Sequence, residues 1–253
     1  MIELFKILIC LPFLLYASYS DIKTRRVSND VWKLMIVAGS PFILYEIIVY
    51  GLSHIIHLMI SFGFIFVFVY ILFYLNAFGG ADAKAFMVIA LIIPSYPIID
   101  LLGQSIPIYG PPFIDLFAFS VFTNSIILTI VVPLGLFIYN LIKVPFSEVL
   151  RRPFYLFIGY MHPISELRDR HLKLIEKYDK MDDGTIKTSF SRSGTEINHE
   201  NIRKLETYSK NGLIGKRVWV TPGLPFMIPI TAGFISAVLL GDIIFHLTLN
   251  YLV

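Results

Sequence analysis

Long apolar stretches dominate this sequence and limit what the chain can fold into. Charged residues make up only 15% of the 253 residues, whereas a soluble domain carries about 25%. This excludes a free cytosolic enzyme, and the abundance of apolar side chains excludes a disordered chain. Six stretches approach the about 20 residues that a helix needs to cross a bilayer. They are Leu4–Tyr19, Val31–Tyr50, Ile55–Asn76, Ala83–Ile99, Leu116–Ile142 and Phe226–Val253.

The placement of Lys and Arg predicts how these stretches are oriented. Cations occupy the connections 22–30 and 77–84, and the segment 143–217 holds 15 of the chain's 21 Lys and Arg. The connections 51–54 and 100–115 hold none. Since cytoplasmic loops are enriched in Lys and Arg, the alternation places the cationic connections in the cytoplasm and both termini outside. The sequence therefore predicts an all-α integral membrane protein with six transmembrane helices and a small cytoplasmic domain between helices five and six.

Residues 143–217 form the part of the chain that has the composition of a soluble domain. With 15 Lys and Arg against 10 Asp and Glu, its net charge is +5, which favours anionic lipid headgroups as a partner. Apolar residues at helical spacing predict a helix over 164–178 and a weaker one over 197–208, and residues 218–220 are typical of a short strand. The predicted domains are 1–142 with five transmembrane helices, 143–217, and 218–253 with the sixth. The cations that we expect at the headgroups are Arg151, Arg152, Arg168, Arg170 and Lys173.

Carboxylates in or near transmembrane segments are costly, so each is a candidate functional residue. We interpret Glu46 as an interfacial residue that reaches water, and Asp242 as a structural hydrogen-bonding group. Asp100 and Asp115 fall in an outer connection, where a solvated carboxylate needs no function. His54 and His57 have no obvious carboxylate partner in the sequence and are interpreted as interfacial histidines.

Asp21 and Asp82 differ from the other acids, because the alternating topology places both at the same depth on the cytoplasmic face. Asp82 follows Gly79 and Gly80, two residues that permit unusual backbone conformations and close approach of another chain. Asp82 would then begin a helix, and a plain N-cap is the structural alternative to a catalytic role. Lys84 lies two residues further along.

Two neighbouring carboxylates supply the chemistry of aspartic proteolysis. Like charges at close range cannot both remain ionised easily, so the pair holds one proton. The ionised member takes a proton from water, and the protonated member polarises the scissile carbonyl. This chemistry requires no cofactor and no metal. The single cysteine, Cys10, excludes a disulfide scaffold and a Cys-rich zinc site.

Three motifs resemble those of the type IV prepilin peptidases and, among these, the archaeal preflagellin (archaellin) peptidases. Gly79-Gly80-Ala81-Asp82 is similar to the Gly-x-Gly-Asp signature of the GxGD-type intramembrane aspartyl proteases. Residues 21–29, DIKTRRVSN, resemble the block that begins at the first catalytic aspartate of that family, and residues 219–230, WVTPGLPFMIPI, resemble its C-terminal block. The one departure is Ala81, which stands where the strict signature has a second Gly.

The resemblance implies a membrane-embedded aspartic endopeptidase. It implies that the enzyme removes short, positively charged leaders from preflagellin or type IV pilin-like precursors at the cytoplasmic membrane face. It further implies that Asp21 and Asp82 are catalytic and that Gly79 and Gly80 position Asp82. Bacterial members often carry a Cys-rich methyltransferase domain, which this chain lacks, so no N-methylation is expected.

Other interpretations remain open at this point. An ion- or proton-coupled transporter would use the intramembrane acids as a conduction path, and a structural membrane scaffold would need none of them. A presenilin-like protease would place both aspartates inside the bilayer, whereas the basic loop after Asp21 favours the interface. Lys23 and Lys84 are candidates for contacts with substrate or lipid headgroups, and nothing in the charge balance favours nucleic acid as a partner.

Overall fold

The computed structural model describes residues 2–75, 77–101, 103–167, 172–181, 184–223 and 225–252. The chain separates into two compact units. The first consists of Met1–Thr129 and Pro225–Val253, and the second of Ile130–Leu224. The predicted domain boundaries at 143 and 217 stay predictions.

Helices account for most of the regular structure, and short strands are interspersed among them. In chain order, the helices are α1 (Ile2–Thr24), α2 (Asn29–Tyr50), α3 (Leu52–Tyr74), α4 (Gly80–Ile92), α5 (Phe117–Thr129), α6 (Val131–Lys143), α7 (Phe146–Arg151), α8 (Tyr155–Ile158), α9 (His199–Lys210), α10 (Met227–Leu239) and α11 (Ile243–Leu252). The strands are β1 (Ile99–Leu101), β2 (Gln104–Ile106), β3 (Tyr160–Pro163), β4 (Leu172–Lys180), β5 (Ile186–Glu196) and β6 (Arg217–Pro222). A short 3₁₀ helix covers Ile164–Glu166.

The prediction of six transmembrane helices is wrong. In the described part of the chain, four helices are long and apolar enough to cross a membrane: α1, α2, α3 and the stretch Phe117–Lys143. The pair α10 and α11 is bent by 57° and adds a fifth if it crosses as one span. The predicted fourth segment yields only the 13 residues of α4, because Pro94 and Pro97 follow directly and cannot continue a helix. Asn76 and Val253, two predicted segment ends, lie outside the described residues.

The prediction of an all-α fold is also wrong. The second unit contains a four-stranded antiparallel sheet in the order β3-β6-β4-β5, and a two-stranded hairpin, β1-β2, lies in the first unit. In place of the helix predicted over 164–178, the described residues form the 3₁₀ helix Ile164–Glu166 and the strand β4. The helix predicted over 197–208 is confirmed as α9, and the short strand as β6.

Burial on both faces of the sheet explains the mistaken helix. Leu174 packs into one cluster, with Ile202 and Val220, whereas its neighbour Ile175 packs into another, with Trp219. A strand that is buried on both faces loses the alternation of apolar and polar residues that identifies a strand in a sequence. A register shift between Leu174 and Glu176 disturbs the spacing further. Arg168 and Arg170, two of the predicted headgroup contacts, lie outside the described residues.

Helix α4 lies at the centre of the first unit and sets the position of its first turn. Its side chains Ala85, Phe86, Ile89 and Ile92 are fully buried, and α2, α3 and α5 pack against it. A mostly apolar helix is stable in apolar surroundings, and here its neighbours cover most of its surface. The first turn of α4, which carries Asp82, is therefore held in place by the whole bundle.

Candidate active site

The two aspartates selected from the sequence lie at one end of the helix bundle. Asp21 occupies the last turn of α1, and Asp82 occupies the first turn of α4. A third element reaches the same place, because the Met227 backbone N–H at the start of α10 donates to Asp21 Oδ2 at 3.3 Å. The N-terminus of a helix carries partial positive charge, so this position stabilises the Asp21 carboxylate.

A hydroxyl pair ties α1 to α10 beside Asp21. Ser18 Oγ donates to the Met227 carbonyl at 2.9 Å and lies 2.7 Å from Thr231 Oγ1. Thr231 Oγ1 in turn donates to the Leu14 carbonyl at 3.1 Å. Sequence reasoning missed Ser18 and Thr231; the one available signal was that Ser18 lies three residues before Asp21, on the same face of the helix.

Asp82 is buried, with 9% of its surface exposed, and it accepts a hydrogen bond from the Gly79 backbone N–H at 3.0 Å. Gly79 is the N-cap of α4 and Asp82 is its third residue, so the expectation that Asp82 begins the helix is shifted by three positions. The Asp82 side chain nevertheless satisfies one of the unpaired amides at the helix start, as a capping acid does.

Burial, together with a smaller effect of the negative charge of Asp21, raises the pKa of Asp82 from its ordinary 3.8 to about 6. The hydrogen bond from Gly79 opposes this rise, because it favours the charged carboxylate. Asp82 lies outside the candidate membrane-spanning helices, because α4 is not one of them. The effect of Asp21 is consistent with the position of both carboxyl groups at the same end of the bundle.

Gly79 provides space for the carboxylate rather than an unusual backbone. Its φ of −77° and ψ of 159° are open to any residue. A Cβ atom at this position would lie 3.1 Å from Asp82 Oδ2, so any side chain at residue 79 would press on the carboxylate. At Gly80 the nearest atom to an added Cβ is Phe73 Cε2, at 3.9 Å. Ala81 lies inside α4, where its departure from the family signature requires no special conformation.

Lys23 and Lys84, the two lysines predicted to contact substrate or lipid headgroups, contact other residues of the chain. Lys23 is exposed, and its Nζ lies 5.8 Å from the centre of the Tyr19 ring. Lys84 is also exposed and donates to Asn29 Oδ1 at 2.6 Å, which connects α4 to the start of α2. Neither lysine forms an ion pair with Asp21 or Asp82 among the described residues.

Arg25 is a further residue that sequence reasoning did not single out. Its backbone has a φ of +55°, a left-handed conformation that is uncommon for a residue with a side chain. The Arg25 N–H donates to the Asp21 carbonyl at 3.0 Å, directly after α1 ends at Thr24. The chain therefore leaves the helix one turn after Asp21.

Of the acidic residues other than Asp21 and Asp82, Glu46 and Asp115 contact residues outside the candidate site. Glu46 does not reach water: it is 3% exposed, and Lys6 Nζ lies 2.8 Å from its Oε1. His54 and His57 do have carboxylate neighbours, since their Nε2 atoms lie 3.4 Å from Glu46 Oε2 and from Asp115 Oδ2, respectively. The interpretation of Glu46 was therefore wrong, and so was the expectation that the two histidines have no carboxylate partner, whereas their interfacial position stays a prediction.

The prediction for Asp242 is confirmed. Thr123 Oγ1 donates to its Oδ2 at 3.0 Å, and the Phe245 N–H donates to its Oδ1 at 3.0 Å, so it caps the start of α11. Asp100 is exposed. Within the described ranges, no group of three or more His, Cys, Asp or Glu side chains is placed to hold a metal ion.

Two carboxyl groups, one with a raised pKa, at one end of a bundle of apolar helices are the arrangement expected of a multi-pass membrane protease of the aspartic type. Comparison with known families agrees with this class. Residues 8–138 match the type IV leader peptidase family, and residues 151–243 match the family described as archaeal peptidase A24 C-terminus type II. The chain belongs to the type IV leader peptidase family, and the resemblance seen in the sequence is confirmed.

Several curated relatives are similar over nearly the whole chain. A preflagellin peptidase of Methanococcus voltae is 31% identical over 240 residues, which cover 93% of this chain and 95% of the relative. A preflagellin peptidase of Methanocaldococcus jannaschii is 25% identical over 94% of each chain. A third, from Methanococcus maripaludis, is 24% identical over 90% of this chain and 92% of the relative.

Proposed function

We propose that Asp21 and Asp82 are the catalytic pair of this peptidase and that its substrates are preflagellins or similar type IV pilin-like precursors. The observation that carries the proposal is that Asp21 and Asp82, which are 61 residues apart in the sequence, lie at the same end of the helix bundle. The influence of Asp21 on the pKa of Asp82 supports this pairing. Membership of a peptidase family decides against the transporter alternative.

The two carboxyl groups differ in environment, and this assigns their roles. Asp82 is buried and its pKa is raised, so it holds the shared proton. Asp21 is partly exposed and accepts the Met227 N–H at a helix start. Asp21 therefore takes a proton from water, and Asp82 donates its proton to the scissile carbonyl oxygen.

The reaction then follows without a covalent intermediate. The water oxygen bonds to the carbonyl carbon and forms a tetrahedral diol, while the proton of the water moves to Asp21. The carbon–nitrogen bond breaks as the leaving nitrogen takes up that proton, and the diol returns its other proton to Asp82. The products are a new carboxyl group on the leader and a new amino terminus on the mature protein.

The substrate proposal rests on the relatives, which are named preflagellin peptidases. Precursors of the kind that the family processes carry a short cationic leader before an apolar helix. Lys-rich segments stay in the cytoplasm, so the cleavage site of such a precursor lies at the cytoplasmic membrane surface. A site with Asp21 and Asp82 at the same surface meets that requirement.

The contacts of Asp21 support an orientation with the site in the cytoplasm and both termini outside. Lys23, Arg25 and Arg26 follow Asp21 directly, and cations of this kind are retained on the cytoplasmic side. Because the Met227 N–H reaches Asp21, the start of α10 lies at the same level as the end of α1. The N-terminal part of α1 and the C-terminal part of α10 therefore both extend away from the site.

A cleavage assay with matched aspartate variants tests the catalytic pair. The full-length protein in vesicles is mixed with a preflagellin precursor, and product is followed by gel mobility for Asp21→Asn, Asp82→Asn and the control Asp30→Asn. Asp30 is an exposed carboxylate on the same side of the bundle, ion-paired with Lys33 at 3.0 Å. The first two variants should lose at least about a hundredfold in rate, because each lacks a proton-transfer group. A wild-type rate in either variant would refute the pair.

Labelling with a membrane-impermeant maleimide tests the orientation. The single native cysteine, Cys10, is fully buried, so it gives little background. A cysteine introduced by Lys23→Cys should react only from the cytoplasmic side of oriented membranes, and one introduced by Ser53→Cys, at the exposed start of α3 beside its connection to α2, only from the outside. The opposite pattern would place the site outside and contradict the proposed substrate.

A further inference from the structure

A groove of about 440 Å³ lies on the first unit between α2, α3 and α4, beside the candidate active site and separate from it. One end of this groove is polar, and the rest is apolar. The polar end is formed by Asn29, Lys33 and Lys84. The apolar part is formed by Trp32, Ile36, Phe62, Met87, Val88 and Leu91.

The groove changes from polar to apolar along its length. Asn29 begins α2, and Lys84 lies in the second turn of α4, so the cationic end is level with the end of the bundle that carries Asp82. Along α4 the lining runs from Lys84 to Leu91, seven residues or about 10 Å of helix. A cationic end at the membrane surface that continues into an apolar channel matches a molecule with an anionic head and an apolar tail.

The charges at the polar end are available to a ligand. Lys84 is exposed, and its partner Asn29 is neutral, so its positive charge is not compensated there. Lys33 pairs with Asp30, but the side chains are 73% and 72% exposed, and such pairs contribute little. The net charge of Lys33, Asp30 and Lys84 together is positive, which favours an anion.

Charge disfavours a precursor as the occupant, because Lys33 and Lys84 would repel its cationic leader. The groove volume of about 440 Å³ lies within the range of about 300–1,000 Å³ of small-ligand pockets.

We propose that this groove binds an anionic phospholipid, with its phosphate at Lys33 and Lys84 and one acyl chain along Met87 and Leu91. The bound lipid connects α2 and α4 next to the turn that carries Asp82. The inference goes beyond peptide cleavage and does not depend on the identity of the catalytic pair.

Tryptophan quenching by brominated lipid tests this proposal directly. The chain has two tryptophans, Trp32 in the groove and Trp219 in the second unit. In full-length protein with Trp219→Phe, the fluorescence of Trp32 reports the groove alone. The protein is placed in phosphatidylcholine vesicles, and phosphatidylglycerol with brominated chains is titrated in. We expect saturable quenching at a small mole fraction, and weaker, non-saturating quenching with brominated phosphatidylcholine.

Charge variants identify the headgroup contact. The double variant Lys33→Gln with Lys84→Gln should raise the half-saturating fraction at least about tenfold, because each lysine contributes to binding of an anionic lipid. Lys84→Arg, which keeps the charge, should bind as the parent protein does. Arg26→Gln is the matched control, since Arg26 is an exposed cation in the adjacent loop that does not line the groove.

Three results would overturn the proposal. Equal quenching by the two brominated lipids would show contact with bulk lipid only. Relief of quenching by soluble glycerol phosphate would assign a phosphate site without a place for the chain. Relief by a preflagellin precursor would assign the groove to the substrate.

Discussion

The substitution Asp82→Asn should stabilise the folded protein at neutral pH while it abolishes cleavage. Burial raises the pKa of Asp82 from 3.8 to about 6, which means that folding opposes its ionised form. A pKa difference costs about 1.4 kcal/mol for each pH unit, so the charged carboxylate destabilises the fold by about 3 kcal/mol. Asparagine has nearly the same shape and still accepts the Gly79 N–H, but carries no charge.

The effect has a defined pH dependence. The folded protein binds the Asp82 proton more tightly than the unfolded chain does, so acid favours folding at this residue. The wild-type contribution is greatest below pH 3.8, declines as the pH rises to about 6, and is constant above that value. The Asp82→Asn variant lacks this decline. The difference between the two proteins should grow from near zero at about pH 4 to about 3 kcal/mol at about pH 7.5.

Chemical unfolding in a neutral detergent measures this difference. Free energies of unfolding are compared across the range from about pH 4 to about pH 7.5 for wild type, Asp82→Asn and the exposed control Asp30→Asn, which should show no comparable gain. Equal stability of wild type and Asp82→Asn at neutral pH would refute the reasoning, since it would mean that burial does not oppose the charge. A gain that is the same at every pH would assign the effect to packing instead.

Two further predictions concern the surroundings of the site and the far end of α1. Gly79→Ala should lower the cleavage rate at least about tenfold in the precursor assay, because the added Cβ lies 3.1 Å from Asp82 Oδ2 and displaces the carboxylate, whereas Gly80→Ala should leave the rate near wild type. Lys6→Met should reduce the free energy of unfolding by about 3–5 kcal/mol, because it leaves a buried carboxylate without its cation. The exposed control Lys33→Met should cost less than about 1 kcal/mol in the same unfolding measurement.

The common level of Asp21 and Asp82 could be predicted from the sequence because each aspartate lies next to a connection whose charge can be read directly. Alternating Lys and Arg content indicated the level of Asp21 and Asp82, and the structure brings the two residues to the same end of the bundle. The reason for Gly79 could not be predicted, because the space it leaves depends on how the Asp82 side chain folds back onto the turn.

Interactions between distant residues explain what the sequence did not reveal. Lys6 and Glu46 are 40 residues apart, and each alone resembles an interfacial charge, so their buried pair becomes visible only when α1 and α2 pack together. The sheet was missed for a related reason. Leu174 and Ile175 face two different clusters, and a single sequence cannot distinguish such a strand from part of a helix.

Two buried carboxylates of the bundle, Glu46 and Asp82, have opposite electrostatic surroundings. The difference agrees with the proposed function of the site around Asp82. Glu46 has Lys6 beside it and is a stable ion pair at the far end of α1. Asp82 has only a backbone amide and the like charge of Asp21 among the described residues, although basic residues lie close in the sequence. Lys84 is held by Asn29, and Lys23 lies against Tyr19. A lysine beside Asp82 would favour its ionised form and remove the proton that, in the proposed mechanism, polarises the scissile carbonyl. Because these cations do not lie beside Asp82, the folded protein is less stable when Asp82 is ionised. In return, Asp82 remains a carboxylic acid that can donate its proton at the membrane surface.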